Sequence, residues 1–395
     1  MTTLKADIKA DISAAVDRGE SVSLMEPLLI GDGAKERGAL TDLAVDLAAR
    51  AAGFRRSLPD GVRGALADLV RAMNCYYSNL IEGHDTHPVD IERALKKDYS
   101  NDPRKRDLQL EAAAHIAVQQ WIDTGGLAGR AVSTAGIREI HQRLRLKLVP
   151  GELRTRDVKV GQHVSISAGA VPRFLDAFER RFSRRGKTES ILSAAAAHHR
   201  LLWIHPFLDG NGRVARLMSH ASLLETLDTG GIWSAARGLA RNVVAYKTHL
   251  ANCDLQRQND LDGRGNLSEE ALIEFTRFFL EVCIDQVRFM EELLQPDRLR
   301  ARILLWTEEE IRLGLLPPKS GNVLEAVLYR GELPRGDSAG LVATGERQAR
   351  RIVAALIEKG VLTSESSRAA LRLAFPATLA PRWMPGLFPE KSDRT

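Results

Sequence analysis

The stretch WIHPFLDGNGRVARLM, Trp203 to Met218, constrains this chain more than any other. One helical pattern runs from about Glu189 to Ile204 and another from about Gly212 to Leu227, so the chain must turn between them. Gly210-Asn211-Gly212 suits a tight turn with no Cβ in the way. A turn that feeds a helix points several N–H groups into one concavity, and the helix dipole adds partial positive charge there. Such a concavity is an anion site, with phosphate its usual occupant. Arg213 and Arg216 follow one helical turn apart, so their forked donors converge on one phosphate chain. Asp209 stands just before the turn, as a ligand for Mg²⁺ that takes one or two carboxylates plus phosphate oxygens. His205, four residues earlier, is matched to accept a proton from an incoming hydroxyl. Pro206 and Phe207 read as the hinge and anchor that hold this histidine. Any one of these residues fits a plain interhelical loop; the full set at this spacing does not.

The rest of the composition is that of an ordinary globular chain of 395 residues, 44% hydrophobic and 27% charged, a length that suggests two or three domains. The net charge of +5 is the difference between 56 basic and 51 acidic residues spread along the chain, a patchwork that neither requires nor excludes nucleic acid. Cys75, Cys253 and Cys283 are few, widely spaced and without CxxC spacing, which fits a reducing compartment. The charged start MTTLKADIKADISAAV is no secretory signal, and no apolar run reaches bilayer length. The expectation is a soluble cytoplasmic protein with no membrane association.

Residues 1–58 mix short helical patterns with the break LIGDGAKERG. From Asp60 to about Leu80, Val62, Leu66, Leu69, Val70, Met73 and Tyr77 recur at helical spacing. HDTHPVDIERAL turns into another helix with Pro88 near its first turn, and His84 and His87 flank that turn as surface residues. Helical patterns continue through Leu108–Ile122, Ser133–Lys147, Pro172–Phe182, Leu239–Asn252 and Leu267–Leu294. RTRDVKVGQHVSI differs: it alternates at Val158 and Val160, then at Val164 and Ile166, with Gly161-Gln162-His163 between, the pattern of a β-hairpin. LLPPKSGN at 315–322 reads as a linker. Residues 321–376 read as a separate unit of three helices and a hairpin, the winged-helix pattern, with Thr344-Gly345 at a turn and Ala349, Ile352, Val353, Leu356 and Ile357 facing inward. Arg347, Arg350 and Arg351 are its candidates for DNA, but eight basic against six acidic residues leave protein docking equally open.

Other constellations give less. His198 and His199 lack the partners of an HExxH zinc site and read as one packed and one solvated residue. No GxxxxGK[ST] or GxSxG occurs, and QNDLDGRGNLSEE lacks the alternating carboxylates of a calcium loop.

HPFLDGNGRVAR resembles the signature of Fic-domain proteins, HxFx(D/E)GNGRxxR, at every specified position, and the resemblance spreads over roughly residues 75–290. It implies an all-α Fic fold with a small β-hairpin flap over residues 59–315, followed by the winged-helix domain. It also implies transfer of AMP from ATP to a Ser, Thr or Tyr hydroxyl of a target protein or of the chain itself, and a homodimer is a fair expectation for the family. By motif position His205 is then the base, Asp209 the Mg²⁺ ligand, Gly210, Asn211 and Gly212 the anion hole, Arg213 the ligand of the β/γ region and Arg216 that of the γ-phosphate. PGELRTRDVKVG with AVPRFLDAF resembles the family's target-binding flap, which makes Val158, Lys159, Val160 and Gly161 target contacts. NVVAYKTHL resembles the helix near the adenine pocket, with Asn242 and Tyr246 at matching positions and Lys247 replacing a frequent second Tyr; core packing is a rival role for Tyr246.

SNLIEG, Ser78 to Gly83, resembles the family's inhibitory motif (S/T)xxxE(G/N), here on an N-terminal helix around residues 60–83. The resemblance implies that Glu82 pairs with Arg216 and takes the space the γ-phosphate needs. Two further readings stay open. One keeps the fold but removes AMP from a target or uses another phosphate donor; the other is a winged-helix DNA-binding regulator whose Fic site senses nucleotide.

Overall fold

Why the helices begin where they do follows from their caps. The computed structural model describes residues 15–388 except 85, 145–148, 184 and 344. Residues 1–14, Thr344 of the expected turn and residues 145–147 of the expected Ser133–Lys147 helix lie outside the described residues. The first half comprises α1 (Arg37–Arg56), α2 (Asp60–Ile81), α3 (Pro88–Leu95), α4 (Pro103–Asp123), α5 (Thr134–Arg143), the hairpin β1 (Lys159–Val160) and β2 (His163–Val164), α6 (Val171–Phe182) and α7 (Lys187–Ile204). There follow α8 (Asn211–Leu227), α9 (Ala235–Arg241), α10 (Val243–Asn252), α11 (Glu269–Leu293) and α12 (Pro296–Arg312). The Asp102 side chain accepts from the Arg104 N–H and Pro103 supplies the preset first turn, so α4 starts five residues before the expected Leu108. Ser133 and Ser268 cap α5 and α11 in the same way.

α7 is the central rod. It packs against α8, α6, α11 and α1, and the run Ala194–Ala197 lets these neighbours come close. A helix enclosed on all sides has no solvent face. This corrects the expectation that one of His198 and His199 is solvated: both are buried. α1, within the segment read as 1–58, buries Leu40, Ala44, Leu47, Ala51 and Phe54 and shares this core through α7 and α11. The expected single helix Leu239–Asn252 is instead broken at Asn242, whose φ of −114° and ψ of 35° leave helical geometry and whose side chain donates to the Gly238 carbonyl.

The last part holds α13 (Ser320–Arg330), β3 (Glu332–Leu333), α14 (Ser338–Val342), α15 (Glu346–Glu358), β4 (Leu362–Thr363), β5 (Leu371–Leu373) and α16 (Ala380–Trp383). The strands form one antiparallel sheet in the order β3-β5-β4, with Leu371 opposite Leu333 and Leu373 opposite Leu362. Leu333, Leu362, Leu371 and Leu373 face a core completed by Ala349, Ile352, Val353 and Leu356, while Ile357 stays exposed. α12, which the periodicity did not single out, packs on α13, and α13 begins at Ser320 inside the linker expected at 315–322. This unit is seated on α2: a Cβ added to Gly61 would collide with the Gly331 carbonyl. The tail then crosses α2 and α9, where the Tyr77 hydroxyl donates to the Leu387 carbonyl at 3.0 Å and Arg237 to the Gly386 carbonyl at 2.9 Å.

Trp383 anchors that tail. It is 1% exposed and meets Trp306 of α12 edge-on at 5.2 Å and Phe375 at 6.1 Å. Trp383→Ala should lower stability by about 3–5 kcal/mol, the usual cost of emptying a buried aromatic site. A loss of unfolding free energy in urea smaller than about 1 kcal/mol would mean the tail contributes little to the fold.

Candidate active site

The site is built where α7 ends and α8 begins. His205 ends α7 in the left-handed region, φ 50° and ψ 62°, a conformation that costs a non-glycine residue energy and so needs outside support. Arg154, which the sequence reading passed over inside its own flap motif, supplies it. Its side chain is fully buried, and its guanidinium donates to the carbonyls of His205 (2.8 Å), Ile204 (3.4 Å), Ile166 (2.6 Å) and Arg156 (3.2 Å). A cation at the C-terminal end of α7 also complements the helix dipole. One side chain thus ties both feet of the hairpin to the residue proposed as base.

The loop between the helices is stapled. Asn211 accepts from the Phe207 N–H at 3.0 Å and returns a hydrogen bond to the Phe207 carbonyl at 2.8 Å, so its side chain shapes the turn. Phe207 is buried and stacks on the His141 ring at 3.8 Å. His141 accepts from the Gly151 N–H and donates to the Asp209 carbonyl, which fixes the loop from its other side. Gly210 caps α8 at a φ of +80° with no side chain to offer, and so the first amides of α8 stay outside its ladder. The Asp209 carboxylate is half-exposed; it accepts from its neighbour's N–H at 2.7 Å and from Arg213 at 3.3 Å.

Glu82 lies over this helix start. A Cβ added to Gly212 would run into its carboxylate, which makes glycine a requirement there. Arg216 Nη2 donates to Glu82 at 2.5 Å, and its Nε donates to the Ser78 hydroxyl at 2.9 Å. Burial pushes the Glu82 carboxyl up, but the charge and hydrogen bond of Arg216 outweigh it and hold the group below its ordinary range. Arg216, Glu82 and Ser78 therefore come together as their spacing implied.

Tyr246, expected beside adenine, is buried in the core with its hydroxyl 2.7 Å from His198 Nε2 and next to Arg216, so it backs that arginine from inside. Asn242 is exposed and bonded to Gly238. In the hairpin Lys159 pairs with Val164 and Val160 with His163, and Gly161 takes a φ of +60°. The turn is therefore the two residues Gly161-Gln162, and His163 belongs to the strand through its pairing with Val160, while its ring donates to the Trp203 carbonyl at 2.8 Å. Lys159, Val160 and Gly161 are exposed, Val158 half-buried.

α4 holds what the sequence did not disclose. Glu111, His115, Gln119 and Asp123 follow at four-residue spacing and face α2 and α8 instead of water. Glu111 bonds Arg213 at 3.0 Å, Gln119 accepts from Asn74 at 2.6 Å, and Asp123 joins His220 and Arg71 at 2.7 Å each. His115 is buried near Arg216 and Arg213, and among the described residues neither ring nitrogen is hydrogen-bonded. Burial, opposed by the Leu202 carbonyl and aided by the Arg154 charge, lowers His205 to about 4, so its imidazole is neutral at pH 7.

Two outcomes are expected. Arg154→Met should cost about 3 kcal/mol or more because it strips buried carbonyls of their donor, with Arg154→Lys intermediate in urea unfolding. Burial also drives His115 and His198 to about 3 and His199 to about 4, against 6.5 for the free group. Below that ordinary value the unfolded chain takes up protons that the native chain refuses. Stability should then fall with decreasing pH by about 1.4 kcal/mol per unit for each such histidine. Unfolding midpoints at about pH 7.5, 6 and 5 check this; a flat profile would contradict neutral burial.

The Fic/DOC family model matches residues 131–223, the span from α5 through the start of α8 into its last turns. The protein named "Protein adenylyltransferase Fic" from Drosophila persimilis is 29% identical over 154 residues, 38% of this chain and 30% of that relative. The chain thus spans under a third of the length of the curated relatives it matches. Among solved structures, a Fic family protein from Desulfovibrio desulfuricans G20 superposes with a TM-score of 0.50 at 17% identity, covering 84% of this chain and 96% of that one. Fic-1 (aa134–508) from C. elegans gives 0.53 at 16%, covering 66% and 74%. With the family model's match spanning the loop and helix start at residues 205–216, the chain carries a Fic domain at residues 131–223.

Proposed function

We propose that this protein is a Fic-type transferase that moves AMP from ATP to a hydroxyl side chain of a target protein, under restraint by Glu82. The observation that carries the reading is the uncapped start of α8 beside two buried guanidiniums and a neutral imidazole. The relatives named protein adenylyltransferase support ATP as donor and protein as acceptor. His205 takes the proton of the target hydroxyl. The freed oxygen bonds to the α-phosphorus, the bond from that phosphorus to the bridging oxygen breaks, and pyrophosphate leaves. Phosphoryl-type transfer of this kind relies on positioning and charge neutralisation. Arg213, Arg216 and the amides of Gly212 and its neighbours provide both.

Asp209 fits Mg²⁺: a half-exposed carboxylate at the mouth of the anion site leaves the remaining ligand positions to phosphate oxygens and water. When bound, the ion neutralises phosphate charge. The exposed strands of the hairpin suit a target segment added as a further strand. The three helices and antiparallel sheet of residues 320–373 support the winged-helix reading of the C-terminal unit.

Glu82 competes with the terminal phosphate for Arg216, since a carboxylate already satisfies that guanidinium. Glu82→Gly should raise label transfer from ATP marked at the α-phosphate by about tenfold or more, equal to a lost competition of about 1.4 kcal/mol. His205→Ala should cut it by about 10²–10⁴-fold. ATP marked at the γ-phosphate should label nothing. Transfer from the γ-position, or equal labelling with and without Glu82, would overturn this assignment.

A further inference from the structure

Two arginines stand one turn apart on α8, and each already has a carboxylate. Arg216 has Glu82 from the end of α2. Arg213 has Glu111 from α4, Nη1 to Oε2 at 3.0 Å, in a pair whose side chains are 7% and 19% exposed. The second fork nitrogen of Arg213 reaches Asp209 at 3.3 Å, and its Nε is buried without a partner among the described residues. An arriving phosphate chain therefore meets two cations whose charge is largely cancelled at short range.

The two carboxylates differ in how they are mounted. Glu82 follows the last residue of α2 and precedes Gly83 at a φ of +84°, a turn from which a side chain can swing away. Glu111 lies two turns inside α4. Ala112 beside it accepts from Cys75 of α2, and His115 one turn on is buried. Glu111 thus has a fixed backbone and keeps its charge near Arg213 whatever Glu82 does.

We infer that Glu111 is a second, permanent acidic counterweight on the anion site: a positioning residue that orients the Arg213 fork and holds down the affinity for the β- and γ-phosphates. This rests on the nucleotide reading of the pocket given above. Its function is twofold in physical terms. The hydrogen bond orients the guanidinium, and the negative charge offsets the attraction that would otherwise trap a polyphosphate product.

Glu111→Gln separates these parts, because an amide oxygen still accepts from Arg213 while the charge is gone. In the Glu82→Gly chain with Mg²⁺ present, calorimetry should show ATP and ADP binding about tenfold tighter after Glu111→Gln, the worth of one partly screened charge pair. AMP, which lacks the distal phosphates, should bind unchanged. Glu111→Asp, which withdraws the carboxylate by one methylene, should shift ATP binding the same way by less. In an Arg213→Gln background the Glu111 effect should disappear, as the coupling requires. Unchanged or weaker ATP binding in Glu111→Gln, or an equal gain for AMP, would overturn the counterweight while leaving the proposed activity intact. If the Glu82→Gly chain binds none of the three nucleotides, the nucleotide reading and this inference fall together.

Discussion

One guanidinium, Arg216, decides how the helices around the pocket can meet. It projects from α8 yet is satisfied by α2, through the Ser78 hydroxyl and carbonyl and the Glu82 carboxylate. Behind it stands Tyr246, bonded in turn to His198 of α7. A buried cation without such partners would be costly. The position of α2 is thereby set by charge as well as by its apolar face. The end of α2 lies over Gly212 because that is where the arginine needs its carboxylate.

The ends of α7 and α8 carry opposite partial charges, and the chain treats them in opposite ways. Arg154, a buried cation, serves the C-terminal carbonyls of α7. The N-terminal end of α8 has no side-chain cap among the described residues, and the Glu82 carboxylate from the end of α2 lies over Gly212. The closed end holds the imidazole in a conformation it would not choose alone. The open end is left for a negative group.

What the sequence made legible follows from locality. The loop at residues 205–216 is contiguous, so its turn, its two arginines and its histidine could be read together; SNLIEG gained meaning from the arginine it would face. The stripe Glu111, His115, Gln119 and Asp123 could not be read, because polar residues at i, i+4 spacing describe a solvated helix face as well as a buried polar seam. Only the arrival of Arg213, Asn74 and His220 from other helices distinguishes the two. His198 and His199 misled for the converse reason: adjacent residues point to different sides of a helix, but α7 is enclosed on every side. Arg154 looked like one more surface arginine in a charged hairpin, and its four carbonyl partners come from segments up to 51 residues away.

The hairpin is gripped at its base and held once more beside its turn. Arg156 and Ile166, where the two strands enter and leave, offer their carbonyls to the same buried fork, and His163 adds one tether to Trp203. Exchanging the exposed Lys159 or Val160 leaves the Arg154 grip and the His163 tether untouched. The exposed residues Lys159, Val160 and Gly161 can therefore change their chemistry while the loop beneath them keeps its registration.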